Sequence, residues 1–270
     1  MNFSVLLSVY YRENPIFLKA ALNSIWSEQT VKPSEIVLVK DGPLSEPLDQ
    51  VIDEFRNVAP LKVIALEKNV GLGMALNIGL EKCNYELVAR MDTDDIAFKT
   101  RFEKQLCFLV NNPEIDIVGS WLDEFESTPD NVISQRRVPE SAIEIKEFLK
   151  KRNPLNHPTV VFRKSSVQKV GGYKHFHLNE DYYLWARMVA SGSKLYNIQE
   201  SLLYFRAGRE VFKRRGGFNY ALQDYKLQKE FKRLGIVNRK EFIINCCTRC
   251  TSRLLPNFIR GALYKKLLRN

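Results

Sequence analysis

No stretch of this sequence approaches the roughly 18 consecutive apolar residues that a membrane-spanning helix needs, so the chain is not expected to cross a bilayer. Five cysteines, Cys83, Cys107, Cys246, Cys247 and Cys250, are an odd number, and a disulfide framework does not suit an intracellular chain of 270 residues. The first ten residues lack the basic region and small-residue cleavage site of a secretory leader; they read as a first strand, which points to the cytoplasm. Thirteen Gly and eleven Pro are too few for a collagen-like or linker-dominated chain, and neither an internal repeat nor a low-complexity tract is present. That first strand runs into Ser8-Val9-Tyr10-Tyr11-Arg12-Glu13 without a glycine, which excludes both a dinucleotide fingerprint and a phosphate-binding P-loop. Cys247 and Cys250 form one CxxC with no second pair and no nearby His, so a zinc site is not expected.

What is present is an ordinary globular composition, 45% hydrophobic and 27% charged, enough for one large or two small domains. Its charge is unevenly placed. Residues 1–205 hold 24 Lys and Arg against 27 Asp and Glu, whereas residues 206–270 hold 17 against 4, so the net +10 of the chain comes from a last quarter that is itself +13. A basic tail can meet nucleic acid, anionic lipid or a polyphosphate ligand, and charge alone does not choose among them.

Apolar runs at 4–9, 35–39, 62–66, 86–91 and 115–121 alternate with helical patterns. Asn14-Pro15 is an N-cap followed by Pro at the first helical position, after which Phe17, Ala20, Ala21, Ser24 and Ile25 share one face. Residues 71–82 and 99–111 repeat the helical spacing. The alternation predicts an α/β fold with a mainly parallel sheet covered by helices on both faces, and in such sheets ligands sit at the carboxyl ends of the strands. The second half, with strand-like 159–162 and 202–205 around a helix at 181–190, reads as an extension of the same sheet. From Phe218 onward the pattern is helical and basic, ending in an apolar face of Leu255, Phe258, Ile259, Leu263 and Leu267 beside Arg260, Lys265, Lys266 and Arg269.

The polar chemistry collects at the strand ends. Asp92-Thr93-Asp94-Asp95 follows the buried-looking run Leu87-Val88-Ala89-Arg90-Met91. Carboxylates packed this closely repel and persist where a cation neutralises them, and oxygen ligands of this kind suit Mg²⁺ or Mn²⁺; a solvated, helix-capping loop is the alternative. Asp41, before Gly42-Pro43, can accept the imide N–H of uracil, and Tyr10 can stack on the same base; a turn-forming Asp and a core Tyr are the plain readings. Glu180 and Asp181 open a helix, either as a first turn favoured by the helix dipole or as a general base beside the cleft. His157 and Arg206 are lone residues of types that are more often structural.

In this order, Ser4-Val5-Leu6-Leu7-Ser8-Val9-Tyr10, Gln29-Thr30, Glu35 through Gly42, Asn69 through Gly79, Met91-Asp92-Thr93-Asp94-Asp95 and Glu180-Asp181 resemble family 2 glycosyltransferases over about residues 3–206. The resemblance implies a nucleotide-sugar-binding α/β domain of the A type over residues 1–209; the charge and apolar face of residues 210–270 point to a membrane-surface region, the alternative being a face that packs on the catalytic domain as an ordinary core helix. It places Tyr10 and Asp41 on the uracil, Asn69 and Asp92 with the nucleotide, and Asp92 and Asp94 at the metal-diphosphate with Mn²⁺ or Mg²⁺. Asp181 is implied as the base with Glu180 beside it, and Arg206 or Arg209 meets the leaving UDP. One departure stands out: the family usually has two acids before the turn glycine, and Lys40 replaces the first.

More narrowly, the sequence, including Asn153-Pro154-Leu155-Asn156-His157-Pro158, is similar to bacterial enzymes of surface-polysaccharide (O-antigen or capsule) assembly. Those add a β-1,3-linked galactose or glucose to N-acetylhexosamine on undecaprenyl diphosphate. That likeness implies a UDP-sugar donor, a lipid-diphosphate acceptor and peripheral contact with the inner face of the cytoplasmic membrane, with no nucleic-acid partner. A sugar nucleotidyltransferase and a non-catalytic nucleotide-sugar or lipid-binding module are the alternative readings.

Overall fold

The structure, a computed structural model, describes residues 1–176, 178–207 and 217–254. The expected strands form: β1 (Ser4–Val9), β2 (Glu35–Lys40), β3 (Leu61–Ala65) and β4 (Leu87–Arg90) lie in the order β3-β2-β1-β4, all parallel. Alternate residues of these strands enter opposite cores. Val5, Leu7, Val9, Ile36 and Leu38 pack with helices α1 (Pro15–Ile25), α2 (Glu46–Arg56) and α4 (Arg101–Asn111), while Leu6, Val37 and Val39 pack with α3 (Leu72–Lys82) on the other face. A strand pair so buried on both sides reads as a continuous apolar run, which is why the sequence marks it. Asn14 caps α1 as expected, accepting the Ile16 N–H at 2.8 Å. A Cβ on Gly79 of α3 would come within 2.5 Å of Leu6 and 2.7 Å of Val39, so glycine sets how closely this helix lies on the sheet.

Beyond β4 the sheet continues, as expected, but becomes mixed. β8 (Val161–Arg163) runs antiparallel to β4 and to β6 (Ile117–Phe125), β6 pairs in parallel with β9 (Leu195–Arg206), and β5 (Ile96–Ala97) runs antiparallel along β9. β7 (Val132–Arg136) pairs back on β6. Among the described residues nine strands therefore make one sheet, parallel over β3-β2-β1-β4 and mixed beyond, where β6 and β9 run with β4 while β8 and β5 run against it.

Helix α7 (Glu180–Ala190) buries Trp185 completely on the α3 side of the sheet. α5 (Ala142–Leu149) joins the same core, and α6 (Lys164–Lys169) follows β8. α8 (Phe218–Arg233) and α9 (Arg239–Leu254) lie against α7: Leu227 and Phe231 are fully buried, the Tyr182 and Phe231 rings meet edge-on at 5.0 Å, and the Tyr183 hydroxyl donates to Glu230 at 2.8 Å. Arg209 and the apolar face from Leu255 to Leu267 lie outside the described residues. Among the described residues no helix is long and apolar enough to cross a membrane.

Candidate active site

The order β2-β1-β4 brings three strand ends together. Tyr10 ends β1, Asp41 ends β2 and the turn Asp92–Asp95 follows β4. Tyr10 remains 37% exposed, so its ring is open to a ligand. Asp41 is buried, and its two carboxylate oxygens accept the backbone N–H groups of Val70 at 2.7 Å and Gly71 at 3.1 Å ahead of α3. Asn69, the residue before, donates to the Asp41 carbonyl at 3.1 Å. The Asp41 carboxylate thus fixes the 69–71 turn, and a ligand donor would meet only its remaining lone pairs.

Around the acid turn the charges do not balance locally. Burial and then Asp92 push the Asp94 carboxyl up to about 6, and Asp95, fully buried, is driven well above the carboxylate range by burial, Asp94 and Asp92. Glu13, in the turn before α1, belongs to the same group: burial, Asp94 and Asp92 push it up to about 7 while a hydrogen bond from Thr93 pulls it down. Two buried arginines lie beneath. Arg90 ion-pairs with Asp92 through Nη2, and its Nε and Nη1 have no partner among the described residues. Arg101 donates to the Arg90 carbonyl at 2.7 Å, and burial followed by Arg90 lowers it to about 9.

Arg206, at the end of β9, joins this turn from the far side. It donates to the Asp94 carbonyl at 3.0 Å, its backbone N–H goes to Asp95 at 3.0 Å, and its guanidinium sits over Phe17 and Phe125 at 3.8 and 4.6 Å. Among the described residues no three His, Cys, Asp or Glu side chains converge as a ready-made cage. The residues present, Asp92 and Asp94, instead fit a hard cation that takes one or two carboxylates and completes its shell from a diphosphate and water.

On the α7 side Asp181 is held by the protein. Asp181 is half-buried and accepts from Asn153 Nδ2 at 2.6 Å. Burial raises its carboxyl; the hydrogen bonds from the Tyr182 N–H, Asn153 and its own N–H oppose this, and Asp92 raises it further. Asp92 is felt by Asp181, and Glu180 abuts Gly73 two residues beyond the Gly71 N–H that Asp41 holds, so the strand-end acids and the helix-start acids border one cleft. Glu180 lies with its Cγ 3.1 Å from where a Cβ on Gly73 would stand, so the start of α3 leaves room for it. His157 bonds Tyr173 through Nε2 at 2.9 Å and packs near Trp185; burial and then Arg90 hold it well below its ordinary value, so it stays neutral. Glu13, Arg90 and Asn153 lie beside these acids and periodicity does not mark them, although an Arg inside the apolar run of β4 is itself a signal.

The profile of glycosyl transferase family 2 matches residues 4–171, and the chain belongs to that family. It is 43% identical, over 99% of its length and 97% of the relative's, to the UDP-Gal:alpha-D-GlcNAc-diphosphoundecaprenol beta-1,3-galactosyltransferase of Escherichia coli. It is 40% identical, over 98% of both chains, to an amylovoran biosynthesis glycosyltransferase of Erwinia amylovora. Among solved structures, S. aureus TarS 1-349 in complex with UDP-GlcNAc superposes with a TM-score of 0.70 at 17% identity, covering 100% of this chain and 76% of that one. The expected family and its A-type fold are both met.

Proposed function

We propose that the chain is an inverting hexosyltransferase that moves galactose or glucose from a UDP-sugar to an N-acetylhexosamine on a lipid diphosphate, in surface-polysaccharide assembly. The observation that carries this reading is the pairing of two unlike acidic centres in one cleft, Asp92 and Asp94 at the strand ends and Asp181 at the start of α7. The printed activity of the Escherichia coli relative supplies the donor and acceptor class.

In this reading Tyr10 stacks on the base and Asp41 accepts from the uracil imide while Asn69 holds the turn around it. Asp92 and Asp94 would hold Mn²⁺ or Mg²⁺, which when bound would supply a Lewis acid toward the negative charge of the departing UDP. Arg206, fixed by Asp94, Asp95 and two rings, adds a cation on the same side. Asp181 takes the proton of the acceptor hydroxyl as that oxygen bonds to the anomeric carbon and the bond to UDP breaks, which turns an α-linked donor into a β-linked product. Glu180 supports the acceptor.

We place the membrane-surface contact in residues 210–270, on the inner face of the cytoplasmic membrane. Each Lys or Arg near an anionic surface contributes about 1 kcal/mol, and an apolar face resists dissociation. UDP release from a panel of UDP-sugars, with and without a synthetic N-acetylhexosamine diphosphate lipid, tests the whole reading. Acceptor-dependent release supports it; exchange of pyrophosphate into UTP with a sugar 1-phosphate would make the protein a nucleotidyltransferase instead.

A further inference from the structure

The last carbonyls of a helix have no intrahelical partner and need donors from elsewhere. At the end of α5 each of three successive carbonyls receives its own side chain: Leu149 from the Tyr182 hydroxyl at 2.6 Å, Lys150 from Asn245 Nδ2 at 2.8 Å, and Lys151 from Arg249 Nη1 at 2.8 Å. The donors come from α7 and α9. Behind them stands a second layer: Arg249 and Arg253 converge on the buried Asp224 of α8, with Nε distances of 3.2 and 2.8 Å, and Asn245 also reaches Gln228 at 3.0 Å. Lys150 is tied to Glu241 at 3.1 Å. Two residues after Lys151 the chain reaches Asn153, the side chain on Asp181.

We propose that Asn153 is the positioning residue for the Asp181 carboxylate, and that α8 and α9 hold it in place by fixing the backbone at Lys150 and Lys151. The proposal rests on Asp181 being the base. It makes the last two described helices part of the catalytic arrangement, because the loop they grip carries the only side-chain hydrogen bond described for Asp181. Asn153 holds Oδ2 of the carboxylate and so sets the direction in which the group faces the acceptor hydroxyl. It also favours the ionised form, against burial and against Asp92 across the cleft. Among the described residues the charged or titratable groups around Asp181 also include Glu180 and Tyr182 on its own helix, Tyr173, and, behind Tyr182, Arg249 and Asp224.

The test is the pH dependence of kcat in the full chain, with UDP-galactose and a synthetic N-acetylglucosaminyl diphosphate lipid. Asn153→Asp keeps the shape, removes the donor and sets a second acid beside Asp181. It should lower kcat at neutral pH by about 10²-fold, the scale of a misplaced reacting group, and move the acidic limb to higher pH with KM for the UDP-sugar unchanged. Asn153→Ser, which is small and uncharged, should shift the same limb less. Arg249→Ala and Asn245→Ala should shift it in the same direction, by less than Asn153→Asp.

In an Asp181→Asn background Asn153→Asp should lower kcat no further. An unmoved acidic limb in folded, UDP-binding Asn153→Asp and Asn153→Ser proteins, with Asp181→Asn inactive, overturns the positioning role and leaves the base standing. Full activity of Asp181→Asn overturns the base itself.

Discussion

The two sides of the cleft handle charge in opposite ways. On the strand-end side Glu13, Asp92, Asp94 and Asp95 crowd together, and two of them are pushed up to about 7 and about 6 by burial and by one another. On the α7 side one carboxylate is met by a protein donor, and the loop that supplies the donor is itself held at three carbonyls. A group left out of balance is completed by what binds to it, whereas a group already satisfied is set before anything binds. The contrast supports the proposal that the first side takes a ligand that brings a cation and the second serves a reaction step that needs an aimed base.

The largest effect should come from the aimed base. Asp181→Asn should lower turnover by about 10²-fold or more, with UDP affinity nearly unchanged. Because the Asp181 carboxyl is raised above its ordinary 3.8, and only the ionised form accepts a proton, wild-type activity should fall as pH drops through that raised value. Turnover lost in Glu180→Gln and kept in Asp181→Asn would move the role to the neighbouring acid. Next in size is the unbalanced side. Asp94→Asn should cost about 10²–10³-fold, the range for losing one electrostatic stabiliser, with the fold intact. Wild-type turnover should stop in excess chelator and return with Mn²⁺ or Mg²⁺; full activity in chelator would break the division of labour between the two sides.

The strand-end side was the more legible in sequence, and for a physical reason. β1, β2 and β4 are buried on both faces, so they appear as apolar runs whose ends are marked by Tyr10, Asp41 and Asp92. The α7 side is built from long-range hydrogen bonds, and no spacing rule links Asn153 to Asp181 or Arg249 to Lys151. Mixed strand directions were likewise hidden, because a buried strand shows the same apolar pattern in either direction. α2 did carry a signal, Ser45 and Pro47 ahead of Leu48, Ile52 and Phe55, yet the expected alternation of strands and helices was drawn without it. Glu13 lies in the turn after β1, and nothing local marks its role because the acids that act on it are some eighty residues away.

A smaller effect should come from relieving the crowding itself. Burial and the two aspartates raise Glu13 from 4.5 to about 7, so the folded protein keeps a proton there that the unfolded chain has released. The stability linked to this group is full below about 4.5 and is lost as pH rises through about 7. Glu13→Gln should therefore raise the melting temperature of the metal-free protein at pH 8 by a few degrees, the scale of about 1 kcal/mol in a chain of this size, with little gain at pH 5. An equal gain at both pH values would mean that packing, and not charge, limits this corner of the cleft.

The smallest effect concerns Lys40, which stands where the family usually has an acid. Its ammonium is 2.6 Å from Asp49 on α2, with the two side chains 22% and 40% exposed, so it is engaged at the surface while Asp41 is held by the 69–71 turn. Exposed pairs of this kind contribute about 0–1 kcal/mol. Lys40→Ala should accordingly lower stability by less than about 1 kcal/mol and leave UDP affinity, measured by calorimetry, close to that of the parent. Asp41→Asn should weaken UDP more than Lys40→Ala does, since the amide replaces one acceptor oxygen with a donor facing the 70–71 N–H groups or the base. A tenfold loss of UDP affinity in Lys40→Ala alone would show that the lysine reaches the nucleotide, and the strand-end side would then hold a ligand cation of its own before any metal arrives.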